Sequence, residues 1–253
     1  MPNTTVNPLI VRLRARIERL EGGRAHGRAV LPFGVAPIDA ALPGGGLALG
    51  ALHEVAGGGN GAIDGAAAAL FAAGIAARTK GKVLWCVTRQ DLFAPAVAQA
   101  GLLPDRVIYV EAMDEKSVLD CFEEGLRHAG LGAVVAEVAR LSMTASRRIQ
   151  LAAEGSGVIG IGIRRWRRQT EAADFGQPTA SLTRWRVSAL PSTPLPVSGV
   201  GRARWRLELI RCRAGESADF EVEACDAKGR LALLSDLVHR PGEKEIGRRS
   251  ASA

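Results

Sequence analysis

No apolar run in this chain is long enough to cross a bilayer. The longest, residues 65–77, is Ala-rich and follows Asp64, whereas a spanning helix needs about 20 apolar residues. No cleavable hydrophobic region follows the polar N-terminus, so no secretion signal is read. The four cysteines (Cys86, Cys121, Cys212, Cys225) include no CxxC pair. That argues against a disulfide frame or a zinc site and for reduced thiols in the cytoplasm. His26, His53, His128 and His239 lack metal-ligand spacing. These absences predict a soluble cytoplasmic protein with no metal and no membrane partner.

What is there is a chain of 253 residues, 47% apolar, enough for one large α/β domain with a sizeable core. The formal net charge is +7, and it is unevenly placed. Residues 160–213 hold eleven Arg and no Lys against Glu171, Asp174 and Glu208, a local excess of eight. Clustered Arg suits an anionic partner, nucleic acid first; a solvated face is the plainer alternative.

Residues 1–28 read as an amphipathic helix and linker. Asn7-Pro8 is a helix start. Leu9, Ile10, Leu13, Ile17 and Leu20 then form an apolar stripe, suited either to the chain's own core or to a partner. From residue 31 strands and helices alternate. Strands are expected at 52–56, 83–88, 106–110, 132–138 and 158–163. Helices are expected at 64–78, 95–101, 116–129 and 142–154. This order implies a mainly parallel sheet covered on both faces. A loop is expected over 164–181, then sheet-extending strands at 182–189, 204–213 and 220–224. The core domain is placed at 29–240. A polar tail over 241–253 is expected to be disordered.

Strand, glycine-rich loop and helix is the layout of a phosphate-binding loop. Here the loop reads Gly57, Gly58, Gly59, Asn60, Gly61, Ala62, Ile63, Asp64. A working loop ends in Gly-Lys-Ser/Thr, so that Lys reaches the outer phosphates and the hydroxyl holds Mg²⁺. Ala62, Ile63 and Asp64 stand at those places. An apolar Ile cannot neutralise phosphate and a carboxylate repels it, so catalysis is not expected; Asp64 suits a helix cap better. Glu137 ends an apolar strand, where a Mg²⁺-binding acid would sit. Asp91 is the one carboxylate just beyond the 83–88 strand, and it is displaced from a general base's place.

The run Gly34-Val35-Ala36-Pro37-Ile38-Asp39, then Leu42-Pro43-Gly44-Gly45-Gly46-Leu47, Gly50 and Glu54, resembles the entry into the RecA recombinase core. Residues 202–213 (RARWRLELIRCR) and 225–231 (CDAKGRL) resemble a particular branch, the ImuA-type damage-inducible mutagenesis proteins, distantly similar to SulA-like proteins. The resemblance spans about residues 5–241. It implies a RecA-like P-loop NTPase scaffold with degenerate Walker motifs. It also implies an accessory role in SOS-induced, error-prone translesion synthesis beside RecA, an ImuB-type polymerase-like protein and an error-prone replicative-type polymerase. The 164–181 loop lies where RecA-type proteins carry a DNA-contacting loop. No cofactor is expected. A DNA-dependent ATPase using ATP, Mg²⁺ and Glu137, and a SulA-like cell-division inhibitor, remain the alternatives.

One tripeptide occurs three times: Arg165-Trp166-Arg167, Arg184-Trp185-Arg186 and Arg204-Trp205-Arg206. In a strand each Trp faces one side and its flanking Arg the other. Neighbouring strands would give a shared Trp core and an outer ladder of Arg. Arg164, Arg165, Arg167, Arg168, Arg184, Arg186, Arg204 and Arg206 are therefore the candidate contacts for single-stranded DNA or an acidic partner.

Overall fold

A computed structural model describes residues 28–59, 61–166, 175–192, 195 and 198–233. The N-terminal helix with Leu9, Ile10, Leu13, Ile17 and Leu20, the tail, Asn60, Arg167 and Arg168 lie outside the described residues.

The elements run β1 (Val30–Leu31), α1 (Ala36–Ala40), β2 (Leu47–Ala48), β3 (Leu52–Gly57), α2 (Gly61–Ala77), β4 (Lys82–Val87), α3 (Ala94–Gln99), β5 (Val107–Glu111), α4 (Glu115–Leu126), β6 (Leu131–Val138), α5 (Met143–Ser156), β7 (Ile159–Arg164), β8 (Thr183–Leu190), β9 (Arg204–Cys212), β10 (Ala218–Glu223) and β11 (Ala232–Leu233). The expected alternation is present. Arg164, expected in a loop, ends β7, and α2 starts three residues before Asp64. The short pieces β1, α1, β2 and β11 are additions. No described helix is long and apolar enough to cross a membrane.

Among the described residues nine strands form one sheet in the order β11-β10-β9-β8-β3-β7-β6-β4-β5. From β8 to β5 neighbours are parallel, and β9, β10 and β11 extend the β8 edge antiparallel. Strand β3 is therefore central, with β7 on one side and β8 on the other. One apolar cluster lies between the sheet and α2 with α3, and a second between the sheet and α4 with α5.

Strand β7 shows how local sequence sets the two layers. Ile159, Ile161 and Ile163 face the α2 core. Gly160 points the other way, where an added Cβ would meet Leu126 at 3.2 Å and Phe122 at 3.3 Å. The glycine thus lets α4 lie close on the sheet. Helix α4 starts at Asp114, whose carboxylate accepts from Ser117 N–H (2.8 Å), and α5 starts at Ser142, whose hydroxyl accepts from Ala145 N–H (3.2 Å). Helix α5 stops at Gly157, which takes φ 78°.

A polar chain crosses the α2 core. His53 Nε2 lies 2.9 Å from the Ala48 carbonyl, so it is the protonated nitrogen, and Nδ1 accepts from Thr183 Oγ1 at 2.7 Å. The same hydroxyl accepts from Trp185 Nε1 at 2.9 Å. The relay needs a neutral imidazole, and burial pushes the His53 pKa down from 6.5 to about 4. The unfolded chain therefore takes up a proton that the folded chain refuses. The contribution is complete above pH 6.5 and is lost as pH falls toward 4, a span of about 3 kcal/mol. We expect urea-unfolding free energy to fall through that window and the slope to shrink in H53Q; an equal slope in both proteins would remove His53 as its source.

Candidate functional site

The glycine loop follows β3 and opens α2 at the carboxyl end of the parallel strands, where such folds bind ligands. Gly58 N–H donates to the Val187 carbonyl (2.9 Å), which ties the loop to β8. Asp64 is in the first turn of α2 and buried, 3% exposed. Its carboxylate turns toward β8, where Oδ1 accepts from Ala189 N–H at 2.8 Å. A side chain at Gly58 would overlap Ser188 Oγ and Asp64 Oδ2. The loop is thus folded closely over a carboxylate and a hydroxyl. Ile63, at the place of the phosphate-binding Lys, is exposed.

Glu137, next to last in β6, lies on the α2 side of the sheet and is buried. Trp85 Nε1 donates to its Oε1 (2.9 Å) and Arg165 Nη1 donates to its Oε2 (2.6 Å). Arg165 also grips Asp91 with both ends of its fork, Nη1 to Oδ1 at 2.5 Å and Nη2 to Oδ2 at 2.9 Å. These hydrogen bonds hold the Asp91 carboxyl below its usual range and raise the Arg165 pKa. The two acids that sequence places near a metal or water site are thus bridged by one guanidinium.

Arg164 and Arg184 correct the expected Arg contacts. Their side chains are 0% and 5% exposed, and both pair with Glu54 in the middle of β3: Arg164 Nη1 to Oε2 at 2.9 Å and Arg184 Nη2 to Oε1 at 3.3 Å. Ser181 Oγ donates to the same carboxylate at 2.7 Å, and Thr179 Oγ1 does so as well. Arg184 further donates to the Phe175 and Gln177 carbonyls (2.6 and 2.9 Å), and Arg164 Nη2 to the Ala139 carbonyl (2.9 Å). A guanidinium sealed this way cannot reach a DNA phosphate. Sequence reasoning named Glu54 without a role; a charge inside the otherwise buried strand 52–56 was the available signal, because buried charge demands a partner.

The parity of the repeated tripeptide holds on β8 and β9. Trp185 and Trp205 lie in the α2 core, with ring centroids 5.8 and 6.4 Å from Phe71. The outward face is not an Arg ladder, because acids of β9 and β10 interleave with it. Arg186 lies 3.7 Å from Glu208, Arg204 lies 3.1 Å from Glu221, and Arg206 stands opposite Ser188 and Glu221. Glu208 is already counted in the local charge balance, and Glu221 follows the Arg-rich segment in the chain. Trp166, beyond β7, packs edge-on against Phe175 at 5.6 Å.

No protein-family model matches the chain. Among solved structures, the crystal structure of the RadB recombinase superposes with a TM-score of 0.56 at 16% identity, covering 81% of this chain and 99% of that one. The fold is therefore RecA-like, with an α/β sheet that is mostly parallel. Among curated proteins, Protein ImuA of Caulobacter vibrioides strains NA1000 / CB15N and ATCC 19089 / CB 15 is 39% identical over 244 residues, covering 91% of this chain and 99% of the relative. With that identity along nearly the whole of both chains, and a RecA-like fold beneath it, the chain belongs to the ImuA family.

Proposed function

We propose that this chain is a non-catalytic RecA-like accessory protein of SOS-induced, error-prone translesion synthesis, engaging RecA and an ImuB-type polymerase-like partner in the cytoplasm. Membership of the ImuA family supports the setting of damage-induced mutagenesis. One observation carries the non-catalytic part: the groups that would hold a nucleotide and its metal are satisfied by the chain itself. The Asp64 carboxylate stands inside the glycine loop, and Arg165 spans Glu137 and Asp91. A buried carboxylate repels a phosphate brought beside it, and a guanidinium already neutralises the acids that would bind Mg²⁺. These residues do not fit ATP with Mg²⁺, and the role that remains is one of surfaces.

Titration calorimetry with ATP and Mg²⁺, with and without single-stranded DNA, tests this. The expected result is no saturable heat up to about 1 mM ligand, an affinity weaker than about −4 kcal/mol. Saturable binding abolished by E137Q would restore the ATPase alternative. In pull-downs, folded protein that retains neither purified RecA nor the ImuB-type partner would sink the adaptor role.

A further inference from the structure

Residues 225–231 have so far only a family resemblance. In the structure they form a turn seated on the far end of α2, away from the glycine loop. The Asp226 carboxylate accepts from Lys228 N–H (2.8 Å) and Arg230 N–H (2.9 Å), and Gly229 N–H donates to the Asp226 carbonyl (2.8 Å). Gly229 has φ +70°, and an added Cβ there would meet the Gly74 carbonyl at 2.6 Å and Ala77 at 3.0 Å. Only glycine fits so close to the helix. The turn is therefore fixed, and it presents Lys228 and Arg230 outward, both exposed.

Together with Arg78 these two cations line a cleft of about 460 Å³, whose other walls are Leu31, Pro32, Phe33, Gly34 and Leu231. Arg78 lies 4.9 Å over the Phe33 ring and donates through Nη1 to the Pro32 carbonyl. Its Nε and Nη2 are shielded from solvent and have no hydrogen-bond partner. Buried donors are rarely left so. The nearby acids are committed: Asp39 accepts from Phe33 and Gly34 N–H (2.6 and 2.9 Å), and Asp226 holds the turn. Among the described residues, none of the three cations forms an ion pair.

We propose that this cleft docks an extended acidic peptide segment of a protein partner, in which carboxylates alternate with apolar side chains. A carboxylate matches Arg78, Lys228 and Arg230 in charge. Apolar neighbours pack on Leu31, Pro32 and Leu231. The space is that of a few side chains. It is too small to seat a duplex. Its one aromatic ring, Phe33, is buried and covered by Arg78, so it offers no platform for stacking bases. The inference goes beyond the adaptor reading and stands whether or not ATP binds.

The probe is a fluorescein-labelled (Glu-Leu)₄ peptide titrated with the full chain by anisotropy. The expected result is saturable binding, weakened at least tenfold in the double variant K228A/R230A, with no binding of (Lys-Leu)₄. Both substituted side chains are exposed and the turn is held by backbone groups, so an unchanged melting curve of the variant shows that the fold survives. No binding by the unaltered chain at millimolar protein, equal binding by the double variant, or preferential displacement by a single-stranded oligonucleotide would each overturn the proposal.

Discussion

E54A is expected to destabilise the protein by about 3–5 kcal/mol, because it leaves two buried guanidinium groups without their counter-charge. The Glu54 side chain is 0% exposed and sits on the central strand of the sheet. Four donors converge on it, from Arg164, Arg184, Thr179 and Ser181. Taking two cations out of water costs more than their mutual arrangement returns once the shared acceptor is gone. E54Q should rescue little, since its amide brings a donor toward cations that need an acceptor. The triple variant E54L/R164M/R184L should recover much of the loss, as apolar replacements of a buried ion cluster often do. Urea denaturation of the three proteins separates these cases, and a cost below about 1 kcal/mol for E54A would show that water or rearrangement meets the two cations. The segment from Phe175 to Ser181 hangs on the same cluster through Arg184 and through Arg211, which donates to the Thr179 carbonyl at 3.1 Å. Limited proteolysis within that segment should therefore accelerate in E54A before global unfolding does.

That cluster marks where sequence reading stops. Short apolar runs separated by helical spacing made the order of strands and helices legible, because the periods of both elements are local. The partners of Glu54 lie 110 and 130 residues away in the chain, and only the sheet order β7-β3-β8 brings them together. Arg164 and Arg184 therefore read as surface charge. The same limit explains the outer face of β8 and β9. Alternation sorted Trp from Arg correctly, but the register that sets Glu208 and Glu221 among the Arg residues is a tertiary fact. The degenerate loop was legible as chemistry, since the absence of a Lys and a hydroxyl is visible residue by residue. That Asp64 would bond to β8, and that Arg165 would bridge Glu137 to Asp91, depends on the packing of strand ends far apart in sequence.

Two neighbouring residues of the repeated tripeptide should separate sharply on mutation. W185A is expected to cost about 3–5 kcal/mol, as for other large-to-small changes in packed cores. Trp185 is 0% exposed and meets Phe33 and Phe71 at centroid distances of 5.8 Å and Phe220 at 6.5 Å, so truncation opens a cavity bounded by rings that cannot easily collapse. It also takes from Thr183 Oγ1 the donor at the end of the His53 relay. R186A, one position on, removes a side chain 42% exposed whose acidic neighbour is 3.7 Å away. A pair of that kind contributes about 0–1 kcal/mol, so R186A should melt close to the unaltered protein. If R186A proved as costly as W185A, Arg186 would have to be packed in solution as Arg184 already is, and the solvated part of the outer face of β8 would have to be drawn elsewhere.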